Sequence, residues 1–221
     1  MAKPSIDQAF LTPLYSQSEV AQIIRATPST VQRWTTGYSD GSTQRAPLVT
    51  GVDRGRGFTV PFIGLTEAFV INAFRKAGLP MQRIRPAVEA LQRELGLEYA
   101  LASNRLRTDG VEVLLHSDDE LDRRLIVVRN GQAAFSEVVD QYLKSIDFGT
   151  LYAERLRLPQ YPGLNVTVQP TINGGQPTLA DRGIAVADVL GRIRSGESPT
   201  DVAVDYGVAH DDVLFLNQLA A

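Results

Sequence analysis

Residues 15–38 read YSQSEVAQIIRATPSTVQRWTTGY, and this stretch decides the fold. Ser16 and Glu19 have the spacing of a capping box, in which the hydroxyl accepts the third helical N–H and the carboxylate reaches back to the cap. Thr27 and Pro28 start a second helix, because proline at the first helical position gives up an N–H that has no partner there. Gly37 ends that helix. The pattern predicts two short helices joined by a tight turn.

The apolar positions of this stretch are those that lock together the two helices of a helix-turn-helix. Counted from Gln17, the matching residues are Val20, Ala21, Ile24, Ala26, Val31 and Trp34. Arg25 stands at the turn position where glycine is usual, so either Arg25 adopts a left-handed conformation or the turn differs. We interpret the stretch as a helix-turn-helix with Trp34 in its core. The alternative is a pair of amphipathic helices in an ordinary core.

The face left over on the second helix is polar, forms hydrogen bonds and lacks acids. It consists of Thr27, Ser29, Thr30, Gln32, Arg33 and Thr36. Gln32 and Arg33 have the geometry for bidentate contacts to adenine and guanine edges, whereas serine and threonine suit phosphates or thymine methyl groups. We therefore predict that this face binds DNA.

Two short apolar segments in residues 47–60 flank a turn that is rich in glycine and carries Arg54 and Arg56. This arrangement is typical of the wing that follows a helix-turn-helix. Arginines at the tip of such a hairpin would contact phosphates or the minor groove. The alternative is a hairpin tip that contacts only solvent.

A second helix-turn-helix pattern lies near the C-terminus. Counted from Pro199, its apolar or small positions are Val202, Ala203, Tyr206, Val208, Val213 and Leu216, with glycine in the turn at Gly207. Its second helix carries Asp211 and Asp212 near its start, and carboxylates are repelled by the phosphates that line a groove. We expect this helical unit to bind protein, with Leu214 and Phe215 as exposed apolar residues inside a charged rim.

Between the two patterns, residues 65–78 and 81–96 have helical spacing, and we expect Arg75, Lys76, Arg83, Arg85 and Arg93 to line one side. Residues 111–135 predict a small antiparallel sheet, residues 136–146 a helix and residues 159–163 a linker. Residues 1–110 hold 13 Lys and Arg against 9 Asp and Glu, and residues 111–221 hold 9 against 16. Halves of opposite sign indicate that the two ends meet different partners.

Composition argues against an enzyme. The absence of cysteine excludes disulfides, zinc fingers, iron–sulfur clusters and a thiol nucleophile. Neither histidine, His116 or His210, has the spacing of a metal or catalytic site, and the acidic residues 117–122 read more readily as a solvated loop than as a metal site. We predict no catalytic residue, no metal and no cofactor. No stretch is long and apolar enough for a membrane span, and the N-terminus does not resemble a signal peptide, so we expect a cytoplasmic protein.

The segment 168–216 resembles a short bacterial antitoxin domain. The matching residues are Pro170, Gly174, Gly175, Pro177, Arg182, Ile184, Val186, Gly196, Ser198, Tyr206 and Val213. The N-terminal helix-turn-helix, its wing and the helices to Leu106 are similar to the MerR-type winged helix that is fused to this domain in the larger VapB-like antitoxins. The order of the two resemblances along the chain makes the match specific.

The resemblance implies a mainly α fold with small β elements (α+β). A winged helix-turn-helix at 1–110 is followed by a connecting region at 111–160 and a three-helix antitoxin domain at 165–221. It also implies a type II antitoxin that binds a PIN-domain ribonuclease toxin and represses its own operon, as a homodimer or in a larger complex with the toxin. The alternative is an effector-responsive transcription regulator without a toxin.

The resemblance also implies what kind of site the antitoxin has to silence. PIN ribonucleases hold magnesium with carboxylates, so an antitoxin can insert a cation among them or cap the cleft. The basic residues of 165–221 are Arg182, Arg192 and Arg194. We expect one of them to be required for inhibition, with Arg182 the leading candidate for its place in the motif. The alternative is that all three offset nearby acids.

Overall fold

The structure is a computed structural model that describes residues 6–53, 58–106 and 139–220. The chain divides into two compact units, unit 1 at Met1–Glu154 and unit 2 at Arg155–Ala221. Arg54 and Arg56, the predicted sheet at 111–135, His116, the acidic residues 117–122 and the helix start at Ser136 lie outside the described residues. Within the described residues, no helix is long and apolar enough to cross a membrane.

Unit 1 begins with helices and short strands that alternate. Its elements are α1 (Gln8–Leu11), β1 (Pro13–Ser16), α2 (Gln17–Ile24), α3 (Pro28–Thr36), β2 (Tyr38–Asp40), β3 (Thr43–Arg45), β4 (Val52–Asp53), β5 (Phe58–Pro61), α4 (Phe62–Lys76), α5 (Met81–Leu95), a 3₁₀ turn (Ala100–Ala102) and β6 (Ile146–Phe148). Residues 139–144 are helical, so the helix predicted at 136–146 ends earlier than expected, and Ile146 starts a strand instead.

Helices α2 and α3 form the predicted helix-turn-helix. Ser16 and Glu19 complete the capping box, and the Thr27 side chain caps α3 by accepting the Thr30 N–H. Arg25 takes the left-handed conformation (φ 56°, ψ 53°) that the tight turn requires. Val20, Val31 and Trp34 are buried between the helices, and Ala26 is half-buried. The assignment of Trp34 to the core is therefore confirmed.

The predicted wing is a hairpin of β4 and β5, with Val52 opposite Thr59 and Asp53 opposite Phe58. We define the wing as these two strands and the four residues between them. Strand β1 pairs with the other edge of β5, which gives a three-stranded antiparallel sheet in the order β1-β5-β4. A second hairpin, β2–β3, follows α3 directly and was not predicted.

Helix α4 is the centre of unit 1, because every residue from Phe62 to Phe74 is buried. It begins three residues before the predicted start at Leu65. The basic residues of α4 and α5 do not all line one surface, contrary to the sequence prediction. Arg85 is 8% exposed, and its Nη1 donates to the Ala46 carbonyl. It therefore contacts the protein interior rather than a basic surface.

Unit 2 combines a small antiparallel sheet with three helices. Its elements are β7 (Ala153–Arg157, which spans the boundary between the units), β8 (Val166–Val168), a 3₁₀ turn (Asn173–Gly175), β9 (Thr178–Leu179), β10 (Ile184–Ala185), α6 (Val186–Arg194), α7 (Pro199–Tyr206) and α8 (His210–Ala220). The strands run in the order β10-β9-β8-β7. The fold class, α+β with a C-terminal three-helix domain, is confirmed.

The start of unit 2 differs from the sequence prediction. Leu156 pairs with Val168, and Arg157 pairs with Thr167 across the two strands. Residues 159–163, predicted as a linker, therefore connect β7 to β8 inside unit 2, and a domain that starts at 165 would omit a strand of its own sheet. Val202, Val213 and Leu216 are buried among the three helices, as the template predicts.

Candidate functional site

The candidate DNA-binding face of α3 points away from the core, because Val31, Trp34 and Thr35 occupy the buried side. Gln17 Nε2 donates to Thr35 Oγ1 at 2.6 Å and so fixes α2 against this buried side. No acidic residue occurs in α3, whose sequence is PSTVQRWTT. The face therefore offers hydrogen-bonding groups to a polyanion without a repelling carboxylate on the same helix.

The six predicted residues divide into two groups by what their side chains already bind. Thr27 Oγ1 lies within hydrogen-bond distance of Ser29 Oγ and Thr30 Oγ1, at 3.1 and 2.9 Å. The Thr36 hydroxyl donates to the Gln32 carbonyl at 2.8 Å. These four residues make local contacts at the ends of α3.

Gln32 and Arg33 form the second group, and both are exposed. The Gln32 side-chain amide makes no hydrogen bond within the described part of the chain. The Arg33 guanidinium lies over the Tyr38 ring, with Cζ 5.5 Å from the ring centroid, and it makes no ion pair among the described residues. No described side chain or carbonyl therefore uses the donors of Gln32 and Arg33 for a hydrogen bond or ion pair.

The root of the wing is tied to three helices. The N–H groups of Leu48 and Val49 donate to the Trp34 carbonyl in α3, at 2.8 and 3.0 Å. The Thr50 N–H donates to Glu67 Oε2 in α4 at 2.7 Å, and Arg85 in α5 holds the Ala46 carbonyl. Residues 46–50, which we call the root of the wing, therefore connect the wing to α3 through hydrogen bonds. Arg54 and Arg56 themselves lie outside the described residues.

Glu67 carries a buried carboxyl group that the sequence analysis did not identify. It is 2% exposed in the middle of α4, and burial raises its pKa to about 7, opposed by the hydrogen bonds from Thr50. The Glu98 carboxylate raises the pKa further. A charged residue inside an otherwise apolar helical segment was the signal that could have identified it.

In unit 2 the three candidate arginines have different surroundings. Arg182 lies exposed in a cleft of about 320 Å³ whose wall includes Leu179, Val208 and Asp212. Its guanidinium sits beside Gly207, in the turn between α7 and α8, and makes no hydrogen bond or ion pair within the described residues. Arg182 is therefore a cation that no carboxylate of the described ranges pairs with, in an acidic unit.

The Arg192 guanidinium binds other side chains of unit 2. It forms ion pairs with Glu197 and with Asp205, the latter at 2.6 Å, and its Cζ lies 5.2 Å from the centroid of the Tyr206 ring. The hydrogen bonds from Arg192 lower the pKa of Glu197. Arg192 thus offsets nearby acids and joins α6 to α7, as the alternative interpretation of these arginines holds. Arg194 is exposed at the end of α6.

The residues of the acidic helix α8 that are predicted to bind the toxin differ in their exposure. Asp211 is exposed, Asp212 is half-buried in the wall of the Arg182 cleft, and Leu214 is 36% exposed. Phe215 is half-buried, so the expectation that it is exposed is wrong: its position on α8 turns it partly toward the helical core. Val204 on α7 is 75% exposed and was missed, although the helix-turn-helix template leaves it outside the core.

No group of three or more His, Cys, Asp or Glu residues is placed to hold a metal ion in the described ranges 6–53, 58–106 and 139–220. The candidate sites in these ranges are a polar helix face with the wing root in unit 1, and the Arg182 cleft beside acidic helices in unit 2.

Comparisons with known proteins match one segment in each unit. Residues 13–88 match the family described as "Putative DNA-binding HTH domain", and residues 166–216 match a family of unknown function, DUF433. The "Putative antitoxin VapB45" of Mycobacterium tuberculosis is 40% identical over 94% of this chain and 94% of its own length. The "Uncharacterized protein Rv2308" of the same organism is 26% identical over 89% of this chain and 85% of its own.

A solved structure extends the match to three dimensions. The crystal structure of Rv2018 from Mycobacterium tuberculosis is 33% identical in sequence, covers 93% of this chain and 97% of its own, and superposes with a TM-score of 0.75.

Proposed function

This chain belongs to the family of VapB-like antitoxins that includes VapB45, and from that premise we propose three roles for it. It binds operator DNA through α3 and the wing, neutralises a PIN-domain ribonuclease toxin through unit 2, and represses its own operon. We further propose that it acts in the cytoplasm as a dimer on a palindromic site, because helix-turn-helix proteins usually pair across a two-fold axis.

The observation that supports DNA binding is the pair of available side chains on an acid-free helix face. Gln32 and Arg33 are exposed, and their donors are not used by the carboxylates or carbonyls of the described residues. Arginine pairs bidentately with guanine O6 and N7, and glutamine with adenine N6 and N7. Ser29, Thr27, Thr30 and Thr36 surround them with hydroxyls suited to phosphate contacts.

The wing complements this face. The hydrogen bonds of Leu48 and Val49 to the Trp34 carbonyl hold the segment that precedes β4 against the C-terminal part of α3. Arg54 and Arg56 follow β4 in the chain and carry two positive charges. We assign them to phosphate contacts, which fix the register of a protein on the duplex without reading its sequence.

The DNA-binding proposal is tested with duplexes that the wild-type protein selects from a random pool, compared with unselected duplexes. We expect Arg33→Ala to cost about 1–3 kcal/mol on selected DNA and much less on random DNA. Arg54→Ala should weaken both alike and reduce the salt slope by about one. Arg194→Ala removes the same charge from unit 2 and serves as the control. Equal losses on both DNAs for Arg33→Ala would exclude base reading.

The observation that supports toxin binding is the available guanidinium of Arg182. A planar guanidinium pairs bidentately with a carboxylate and keeps its charge when desolvated, which suits insertion among magnesium-binding acids. Arg192 is held by Glu197 and Asp205, so we assign it a structural role. Asp211, Asp212, Leu214 and Phe215 of α8 would form the rim and apolar part of the contact.

This part is tested by RNA cleavage with the purified PIN-type protein encoded beside the antitoxin, under magnesium excess. We expect Arg182→Ala to lose most of the inhibition at a concentration where wild type inhibits fully, whereas Arg194→Ala, which removes the same charge from an exposed site, retains it. If the Arg182, Arg192 and Arg194 variants all inhibit like wild type, the inserted-arginine mechanism is wrong and capping by α8 replaces it. The absence of any such neighbour would favour the regulator without a toxin.

A further inference from the structure

Tyr38 comes directly after the C-cap residue of α3 in the chain. It is the first residue of β2 and follows Gly37, which has a φ of 72°. A Cβ atom at Gly37 would lie 2.3 Å from the Arg45 carbonyl oxygen, so only glycine lets β3 pack this closely against the end of α3. The β2–β3 hairpin therefore turns back at the end of the helix and presents the half-buried Tyr38 ring to Arg33.

We propose that Tyr38 is a positioning residue for base recognition: its ring holds the Arg33 guanidinium in the orientation that reads a guanine edge in the major groove. This inference rests on the proposed function, since it requires α3 to bind DNA, and it assigns a role to a residue outside the predicted DNA-binding face. The β2–β3 hairpin thereby becomes part of the recognition surface.

The contact of Arg33 with Tyr38 has the geometry of a cation–π interaction, at 5.5 Å from Cζ to the ring centroid. Where a guanidinium stacks on a ring, its face makes the contact, and its N–H donors, which lie in its plane, remain available for two parallel hydrogen bonds. An ion pair with a carboxylate would occupy those donors instead. The aromatic contact can thus orient Arg33 without competing with the base.

The gain from such a contact is mainly entropic. A free arginine side chain samples many rotamers, and binding must select one of them. Because the ring restricts these rotamers before the DNA arrives, less entropy is lost on binding, which raises affinity through preorganisation. The gain applies only where Arg33 makes its specific contact, so it should be absent on random DNA.

The hairpin keeps Tyr38 in place independently of its ring. Tyr38 pairs with Arg45, Ser39 with Gln44 and Asp40 with Thr43, and Ser39 Oγ donates to Gln44 Oε1 at 2.7 Å. Replacement of the ring by leucine keeps an apolar side chain of moderate size on the same backbone. Tyr38→Leu therefore removes the aromatic face and leaves the hairpin paired, while Tyr38→Phe keeps the aromatic face.

The test measures dissociation constants of the full chain on wild-type-selected and random duplexes at one salt concentration, for Tyr38→Phe, Tyr38→Leu, Arg33→Ala and the double variant that combines Arg33→Ala with Tyr38→Leu. We expect Tyr38→Leu to lose roughly two- to fivefold on selected DNA, the fold-change of an exposed cation–π contact, and to lose nothing on random DNA. Tyr38→Phe should bind like wild type. In the Arg33→Ala background, Tyr38→Leu should have no further effect.

Three results would overturn the inference: a loss from Tyr38→Leu that is equal on random DNA, a loss that persists in the Arg33→Ala background, or tighter binding by Tyr38→Leu. The first two would indicate a direct DNA contact or a folding defect, and thermal unfolding of each variant separates these. If Arg33→Ala fails to discriminate the two DNAs, base reading itself fails. If Arg33→Ala discriminates and Tyr38→Leu does not, only the positioning role fails.

Discussion

Glu67 is a buried carboxyl group whose ionisation affects the stability of unit 1. Its carboxylate accepts the Thr50 N–H at the root of the wing, yet it lies on a helix that is buried from Phe62 to Phe74. Desolvation favours the neutral acid, so the pKa rises from 4.5 to about 7. The hydrogen bond that ties the wing to α4 is therefore made by a group that ionises near neutral pH.

The effect of Glu67 on stability has a definite sign. Because its pKa is higher in the folded than in the unfolded chain, its contribution is fully present below about pH 4.5 and is lost as pH rises through about 7. The loss amounts to roughly 3 kcal/mol at high pH. We expect Glu67→Gln, which keeps an oxygen acceptor for Thr50, to abolish this loss.

Denaturant unfolding at pH 5 and pH 8 measures the effect. The free energy of unfolding of Glu67→Gln, relative to wild type, should increase by about 2–3 kcal/mol between the two pH values. Glu89→Gln, which removes a carboxyl group from an exposed site on α5, serves as the control. Parallel pH profiles for Glu67→Gln and wild type would show that the carboxyl group titrates normally.

At the scale of elements, α2 and α3 could be predicted because local chemistry determines their ends. The capping box at Ser16, proline at Pro28 and glycine at Gly37 each act within one helical turn, and each was found in its predicted role. The conformation of Arg25 was left open, since its identity alone does not decide between a left-handed residue and a different turn. The packing of α2 on α3 resolved it.

The β2–β3 hairpin was not predicted, because local sequence patterns do not determine its position. Its strands do not alternate apolar and polar residues, and Ser39, Thr43 and Gln44 are exposed, so periodicity gives no signal. The Gly41-Ser42 loop between Asp40 and Thr43 is a two-residue turn of a favoured kind, and it was the available sign. The position of the hairpin depends on the close approach of Gly37 to Arg45, a tertiary contact that no local pattern contains.

The candidate site was predicted in the same uneven way. Exposure of Gln32 and Arg33 follows from the helical template, because the buried positions leave them on the opposite face. The difference between Arg182 and Arg192 does not follow from the sequence, because it depends on which acids the fold brings near each one. Glu197 lies 5 residues after Arg192 in the loop that follows α6, whereas Asp205 lies 13 residues after it on α7, which the packing of the helices brings near Arg192.

At the scale of the whole molecule, two differently charged parts are joined in one chain. Residues 1–110 carry a net charge of +4 and residues 111–221 a net charge of −7, from 13 against 9 and 9 against 16 basic and acidic residues. A positive part assists encounter with DNA, and a negative part assists encounter with a basic protein surface. The same helix-turn-helix pattern therefore occurs twice with opposite surfaces and, we propose, different partners.

Unit 2 is compact, and strand β7 spans its N-terminal boundary. Strand β7 pairs with β8 through Leu156 and Arg157, and the Leu158 N–H donates to the Val166 carbonyl at 2.9 Å. We expect a fragment of residues 153–221, which retains all of β7, to fold cooperatively and to carry toxin binding.

A shorter fragment of residues 165–221 would lose the buried Leu156 and Leu158, at about 1.5–3 kcal/mol each, and would expose the edge of β8. Because so small a unit without disulfides has little stability in reserve, this loss should be visible as a lower midpoint in thermal or urea unfolding. Capture of the toxin by residues 1–152 but not by 153–221 would contradict the assignment of toxin binding to unit 2, and equal stability of the two fragments would show that β7 is dispensable for its fold.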